Sequence, residues 1–280
     1  MLDCAGKLLD LSAPAIMGVL NVTPDSFSDG GLFFSIDNAL EHASLMVEQG
    51  AAIIDVGGES TRPGAVEVSV AEEIDRVIPV IEALATSLAV PVSIDTRKAL
   101  VMQSAISAGA GLVNDISALS DSGSMAVVAD AQVPVILMHM QGNPATMQLK
   151  PQYHDVVKEI VAYFSQRISR CAEAGIKPQN IIIDPGFGFG KSDQHNLELL
   201  ANLQALSILQ KPVLVGLSRK SMIGRLLNLE TSQRMLPSVI LALMAVERGA
   251  QIVRVHDVQE TRDAIVLWQR IHDNEYQKEM

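Results

Sequence analysis

With 280 residues, 48% of them hydrophobic and 4% aromatic, the chain is rich in the small branched side chains that parallel strands under helices require, and long enough for one (β/α) barrel. Its net charge of −11 excludes nucleic acid and an anionic membrane as main partners, so an anionic ligand must be met by a local cluster of cations. Cys4 and Cys171 stand in no metal-binding or redox spacing and no run of about 18 apolar residues occurs, which predicts buried, inert thiols in a soluble, cytoplasmic protein.

Residues 1–12 alternate loosely around Gly6 and read as a short hairpin or arm closing one end of a barrel. Ala15 to Leu20 is the first strand, followed by a polar loop from Asn21 to Gly31 that is too rich in carboxylates for a plain connection. Ser35 is placed to cap a helix that runs to Gln49 and stops at Gly50. Ala51 to Val56 is the second strand, Gly57 to Gly64 a second polar loop, and Ser69 with Glu72 a capping box for the next helix. Further strands run from Pro91 to Asp95, Gly111 to Asn114 and Pro134 to Met138, the last leading into His139. An amphipathic stretch from Tyr153 to Ala174 leads into the strand that ends at Asp184. Pro212 to Leu217 is followed by Ser218, Arg219 and Lys220, and Gln251 to Val255 carries Arg254 with His256 just beyond. Strand then helix, eight times over and with no repeated hairpin, predicts an α/β fold: a (β/α)8 TIM barrel forming a single domain over 1–280, with 1–12 as its N-terminal arm.

The chain is organised around Ile181-Ile182-Ile183-Asp184, where an apolar strand stops at a carboxylate followed by Pro185 and a glycine-rich loop. Gly190-Lys191-Ser192 imitates the end of a phosphate-cradling loop, but Pro185 stands where that motif needs its first glycine. Ser192 reads instead as a helix cap, and the glycines as backbone that bends close to a ligand or opens and shuts. In such barrels the active site lies at the C-terminal ends of the strands, where Asn21, Asp95, Asn114, Asp184, Ser218, Lys220, Arg254 and His256 all fall. Asp95, Asp184 and Asn114 suit a flat, donor-rich heterocycle, because a carboxylate accepts two parallel N–H bonds. Lys220 can donate to a ring carbonyl, and Arg254 can stack on the ring or contact an anion. Arg62, Arg254, His256 and Asn21 supply the local positive field, and Asn21 near Asp29 can hold a hard cation such as Mg2+ with ligand phosphate oxygens.

Eight stretches, namely Asn21 to Gly31, Asp55 to Gly64, Ser93 to Thr96, Val113 to Ile116, Met138 to Gly142, Asp184 to Gly190, Gly216 to Lys220 and Arg254 to Asp257, resemble the dihydropteroate synthase family in order and spacing. The resemblance implies a transferase that joins p-aminobenzoate to 6-hydroxymethyl-7,8-dihydropterin pyrophosphate, giving 7,8-dihydropteroate for folate biosynthesis, and a sulfonamide target. It implies pterin binding by Asp95, Asn114, Asp184 and Lys220, with Met138 lining the pocket. Asn21 would coordinate Mg2+ and, with Arg62, Arg254 and His256, hold pyrophosphate. Thr61, Arg62, Phe27, Phe189, Ser218 and Lys220 would form the p-aminobenzoate pocket. The groups nearest the chemistry are then Asp29, Arg62, Lys220, Arg254 and His256. Two alternatives stand beside it: a pterin-dependent methyltransferase domain, which does not need the Asn21 and Thr61-Arg62 loops in this form, and a non-catalytic pterin-binding relative, whose sign would be a lost Lys220, Arg254 or Asn21.

Blander readings attach to other residues. His42, His154, His195 and His272 read as solvated, His139 as a hydrogen-bonded structural histidine, and Asp115 and Asp257 as helix caps. Asp55 is either catalytic or a support for its loop, and Asp95, Asp184 and Lys220 have an internal salt-bridge network as their alternative role. The segment from Pro237 to Val246 is apolar nearly all round and predicts a covering partner, a second copy of the chain making a homodimer, with a satellite cluster under the final helix as the alternative.

Overall fold

The computed structural model describes residues 1–22, 31–60, 67–143 and 146–276, without the side chains of 31–35 and 274–276. The chain opens with an antiparallel hairpin of β1 (Leu2–Cys4) and β2 (Lys7–Leu9). Then come β3 (Ala15–Asn21), α1 (Gly31–Glu48), β4 (Ile53–Gly57), α2 (Val70–Ser87), β5 (Val92–Asp95), α3 (Ala99–Ser107) and β6 (Leu112–Asp115). The second half adds α4 (Ser124–Ala131), β7 (Val135–Met138), α5 (Val156–Glu173), β8 (Ile181–Asp184), α6 (Asp193–Ala201) and β9 (Leu214–Val215). It ends with α7 (Ser221–Leu227), α8 (Met235–Glu247), β10 (Ile252–Val255) and α9 (Val258–Tyr276). From β3 onward the strands pair in parallel in the order β8-β7-β6-β5-β4-β3-β10-β9, and a bridge between Ile183 and Val213 joins the two ends into a barrel. The expected eight-stranded barrel and terminal hairpin are both present.

Alternation along each strand sorts the side chains into two cores. Ile16, Ile54, Val113, Val135, Ile181, Val215 and Val253 pack outward against the helices. Met17, Ile53, Leu112, Ile136, Ile182, Leu214 and Ile252 fill the barrel's lower interior together with Leu2, Cys4 and Leu9 of the hairpin. The hairpin is therefore a plug, its Lys7 ammonium tied to the Ala85 and Leu88 carbonyls at 2.8 and 2.7 Å where α2 ends. It also presses so closely that a Cβ on Gly111 would sit 2.3 Å from the Cys4 carbonyl oxygen. Both cysteines are buried and free, and burial pushes the Cys4 thiol up to about 12, as expected of inert thiols.

Several local expectations need correction. Helix α1 begins at Gly31, so Ser35 lies within its second turn rather than at its cap. Ser69 accepts from the Glu72 amide at 3.2 Å, but the Glu72 carboxylate turns to Arg76, so the reciprocal half of that box is not made. A complete box occurs at Ser192, where His195 supplies the return bond. His195 is thereby half-buried, edge-on to Tyr153 at 5.0 Å, and His272 stacks on Trp268 at 4.3 Å, whereas His42 and His154 are exposed as expected. Helix α8 buries Val239, Ala242, Ala245 and Val246 on the barrel and α9 side, yet Leu236 and Ile240 remain 63% and 50% exposed. No helix among the described residues is long and apolar enough to cross a membrane.

Candidate active site

Two residues above the barrel's apolar floor, the inward side chains become polar on β4, β6, β8 and β10. Ile53 is followed by Asp55, Leu112 by Asn114, Ile182 by Asp184 and Ile252 by Arg254, while Ile136 and Leu214 are followed by Met138 and Gly216. Asn21, Gly57, Asp95 and Asn114 then stand as neighbours in one row across β3 to β6. The polar rim predicted at the C-terminal ends of the strands is present, interrupted by Val19 on β3, Met138 on β7 and Gly216 after β9.

Its centre is Arg254. The guanidinium donates from Nε to Asp55 Oδ2 at 2.6 Å and from Nη2 to Asp95 Oδ2 at 2.8 Å, and Asn114 Nδ2 donates to the same Asp55 oxygen at 3.0 Å. Burial opposes the charge on Arg254, but Asp55 and Asp95 more than offset it and hold the guanidinium firmly protonated. Burial raises the Asp95 carboxyl well above the usual range, with Arg254 pulling it back and Asp55 pushing it further up. Burial raises Asp184 too, against Lys220 and the Gly186 amide, whose N–H meets Oδ1 at 2.7 Å. The internal salt-bridge network considered from the sequence exists for Asp55, Asp95 and Arg254. Asp184 and Lys220 are held differently, chiefly by the loop after β8.

Strand β9 ends at Val215, so Ser218 and Lys220 are not carried on one strand face. Arg219 between them adopts φ +57 and pairs with Asp257, and Lys220 is the residue before α7. The Lys220 ammonium lies 4.4 Å from the centre of the Phe189 ring and donates to the Phe187 carbonyl. Burial lowers its pKa to about 8, with Asp184 working in the opposite direction. Ser218 Oγ accepts from the His256 amide at 3.2 Å and lies 3.0 Å from His256 Nδ1. Met138 is buried at the end of β7 beside Asp184. Asn21 is exposed at the rim, and a Cβ on Gly57 would be 3.7 Å from both Asn21 Oδ1 and Asp95 Oδ2, so the missing side chain leaves room between the two oxygens. No group of three or more His, Cys, Asp or Glu side chains among the described residues could hold a metal. One amide oxygen over an open space fits an Mg2+ bound mostly by ligand oxygens, the usual habit of that ion. Phe27, Asp29, Thr61 and Arg62 lie outside the described residues.

The neck of the second polar loop is clamped by residues that the sequence did not single out. Glu59 accepts from the Val68 amide at 3.0 Å, and Lys98 reaches Val68 O at 2.6 Å, Glu73 at 2.6 Å and Glu59 at 3.2 Å. Asp55, read from the sequence as either catalytic or a loop support, stands in the polar layer as the acceptor shared by Arg254 and Asn114. The signal for it was available, because Asp55 follows Ile53 just as Asp184 follows Ile182. No local signal in the sequence marks Lys98, just before α3, or Glu73 in α2. Asp115 bonds the amides of Ser117 and Leu119, both at 2.7 Å, so it shapes a turn rather than capping α4. Asp257 is committed to Arg219. His139 is buried with its Nδ1 3.0 Å from Lys191 Nζ; since the ammonium only donates, the ring is neutral and accepts there, the structural role expected.

A closed parallel barrel whose mouth carries carboxylates, an amide and two cations defines a barrel enzyme for a small, donor-rich ligand. The family described as pterin binding enzyme matches residues 17–256. Over 260 residues the chain is 54% identical to the dihydropteroate synthase of Escherichia coli (strain K12), covering 93% of this chain and 92% of that one. The solved dihydropteroate synthase of Xanthomonas albilineans with 4-aminobenzoic acid matches with a TM-score of 0.92 and 50% identity over 97% of each chain. A Yersinia pestis dihydropteroate synthase in a sulfonamide drug complex matches with a TM-score of 0.92 and 51% identity over 96% of this chain and 98% of that one. The chain belongs to the pterin-binding enzyme family, among its dihydropteroate synthases.

Proposed function

We propose that the chain condenses 6-hydroxymethyl-7,8-dihydropterin pyrophosphate with p-aminobenzoate to give 7,8-dihydropteroate and pyrophosphate, as a transferase of folate biosynthesis. The observation that carries this reading is the polar set of buried Asp55, Asn114 and Asp184 and half-buried Asp95, Lys220 and Arg254 on an apolar floor. Asp95, Asn114 and Asp184 accept and donate along the pterin edge, and Met138 lines its face. Lys220 donates to the ring carbonyl from one side and, through Phe189, borders the arylamine on the other. Thr61, Arg62, Phe27 and Ser218 complete that second pocket.

In the reaction the arylamine nitrogen bonds to the pterin methylene as the carbon–oxygen bond to pyrophosphate breaks, and the new ammonium then loses a proton. Positive charge develops on the methylene and negative charge on the departing oxygen, so orientation and anion stabilisation supply most of the acceleration. Arg62, His256 and Asn21 face the leaving group in this reading, while Asp29 serves the first loop. Mg2+ held at Asn21 would neutralise charge on the pyrophosphate. Arg254 spends two of its donor nitrogens on Asp55 and Asp95, so its contribution to the anion is through the remaining edge and its field. Sulfonamides, the drug class in the Yersinia pestis complex, would compete for the arylamine pocket.

The protein works in the cytoplasm as one catalytic domain and as a homodimer. What supports the dimer is the exposed apolar stripe of Leu236 and Ile240 on α8, with Leu267 of the adjoining α9 at 64% exposure. The reaction is tested by measuring pyrophosphate release with and without p-aminobenzoate and Mg2+. Release that needs both is the expected result; tight pterin binding with no release would return the protein to the methyl-transfer or binding-only readings.

A further inference from the structure

The loop after β8 is held with unusual completeness. Each of its five successive carbonyls from Gly186 to Gly190 accepts from a side chain: Gly186 from Lys191 at 2.9 Å, Phe187 from Lys220, Gly188 from Gln148, Phe189 from Lys191 at 3.1 Å and Gly190 from Tyr153 at 2.8 Å. Its backbone also rests on the segment after β7, where a Cβ on Gly186 would stand 2.0 Å from His139 O and one on Gly190 would stand 2.4 Å from Gln141 O. Gly186 and Gly190 thus bring one loop against another, while a Cβ on Gly188 would stand 3.2 Å from the Lys220 stem, so the loop is packed on one side and turned to the site on the other.

Lys191 is the hub of that tethering. It is 1% exposed, and its ammonium meets two loop carbonyls, the His139 carbonyl at 3.3 Å and the His139 ring nitrogen, with no carboxylate in ion-pair reach among the described residues. Burial lowers its pKa to about 7, with the Asp184 charge working in the opposite direction, and a methionine would fill the same space without the cost of burying a polar head. The reaction as proposed gives Lys191 no contact with either substrate, so its cluster of hydrogen bonds needs another use.

We propose that Lys191 is a positioning residue for the arylamine half of the site, holding the loop so that the Phe189 ring and the Phe187 carbonyl are presented to Lys220. The inference rests on the reaction proposed above. Two bonds from one rigid centre fix the carbonyls of Gly186 and Phe189, on either side of Phe187, whose own carbonyl takes the Lys220 ammonium. On the pterin side Asp95, Asn114 and Asp184 stand at strand ends, and only the Gly186 amide on Asp184 and the Lys220 bond reach that edge through the loop, so the pterin should feel a loosened loop less than the arylamine does.

The test compares Lys191→Met with Leu199→Ala, a control that damages the buried face of the neighbouring α6 without touching the loop's ties. Lys191→Met should raise KM for p-aminobenzoate by more than about fivefold while pterin affinity by calorimetry stays within about threefold, since small misplacements are expensive in a positioned site. Leu199→Ala should lower stability and leave both values near those of the parent. A smaller rise in KM, or the same rise in Leu199→Ala, overturns the proposal. Peptide-level hydrogen exchange without substrates gives a second reading: residues 186–189 should exchange faster in Lys191→Met than in Leu199→Ala, and equal protection counts against the tether. Should Lys191→Met not fold, Tyr153→Phe removes the single bond to Gly190 and should raise the same KM by more than about twofold; an unchanged KM overturns the idea. If the parent protein releases no pyrophosphate, the reaction reading fails, and the exchange comparison still judges the tether.

Discussion

At the scale of single residues, charge in the barrel mouth is stable only because it is paired. Removing the Arg254 guanidinium leaves Asp55, fully buried, and Asp95 with no cation between them. Arg254→Met should therefore lose about 3–5 kcal/mol of stability in urea denaturation as well as activity. His139 makes a prediction of opposite character. Burial first, and then the Lys191 charge, lowers its pKa to about 3, while the unfolded chain titrates near the ordinary value of 6.5. Between those two values the unfolded state binds a proton that the folded state refuses, so stability falls as pH drops below 6.5 and the loss is complete near 3. The slope should approach 1.4 kcal/mol per pH unit at most, roughly, and should be absent in His139→Gln, measured by thermal melts across that range.

At the scale of elements, two connections carry the site, and each is held from beneath. Gly186 has φ +70 and no space for a Cβ against His139 O, so Gly186→Ala should cost roughly 1–3 kcal/mol by denaturation even before any effect on Asp184. The neck of the second loop depends on Lys98, whose loss strands the buried Glu73 carboxylate. Lys98→Met should destabilise by about 3–5 kcal/mol, and adding Glu73→Gln should recover at least about 1 kcal/mol of it in a double-mutant cycle. No recovery would mean that the two charges act independently.

At the scale of the whole molecule, among the described residues the hairpin plugs the lower end of the barrel and the helices pack on its outer face, and α8 keeps an apolar stripe exposed. A surface of that kind is expected to find a partner. Sedimentation at micromolar concentration should give a dimer for the parent chain and a monomer for Leu236→Glu, with the barrel's circular dichroism unchanged. A parent that sediments as a monomer ends the dimer reading.

The barrel was legible because its signals are local: strands such as Ile181 to Ile183 alternate with capped or glycine-stopped helices, and parity alone places Asp184, Asn114 and Arg254 on one interior face. The family was legible because eight loops keep their residues in order. What the linear pattern does not contain is which charges meet, because Arg254 finds Asp55 and Asp95 only when β10, β4 and β5 curve round a common axis. The same holds for Lys191, which looks like a solvated lysine at a helix start and becomes a buried hub only when the loops after β7 and β8 stack. Alternation and capping act over a few neighbouring residues and can be read along the chain; pairing and burial are set by distance in three dimensions, which tertiary structure alone decides.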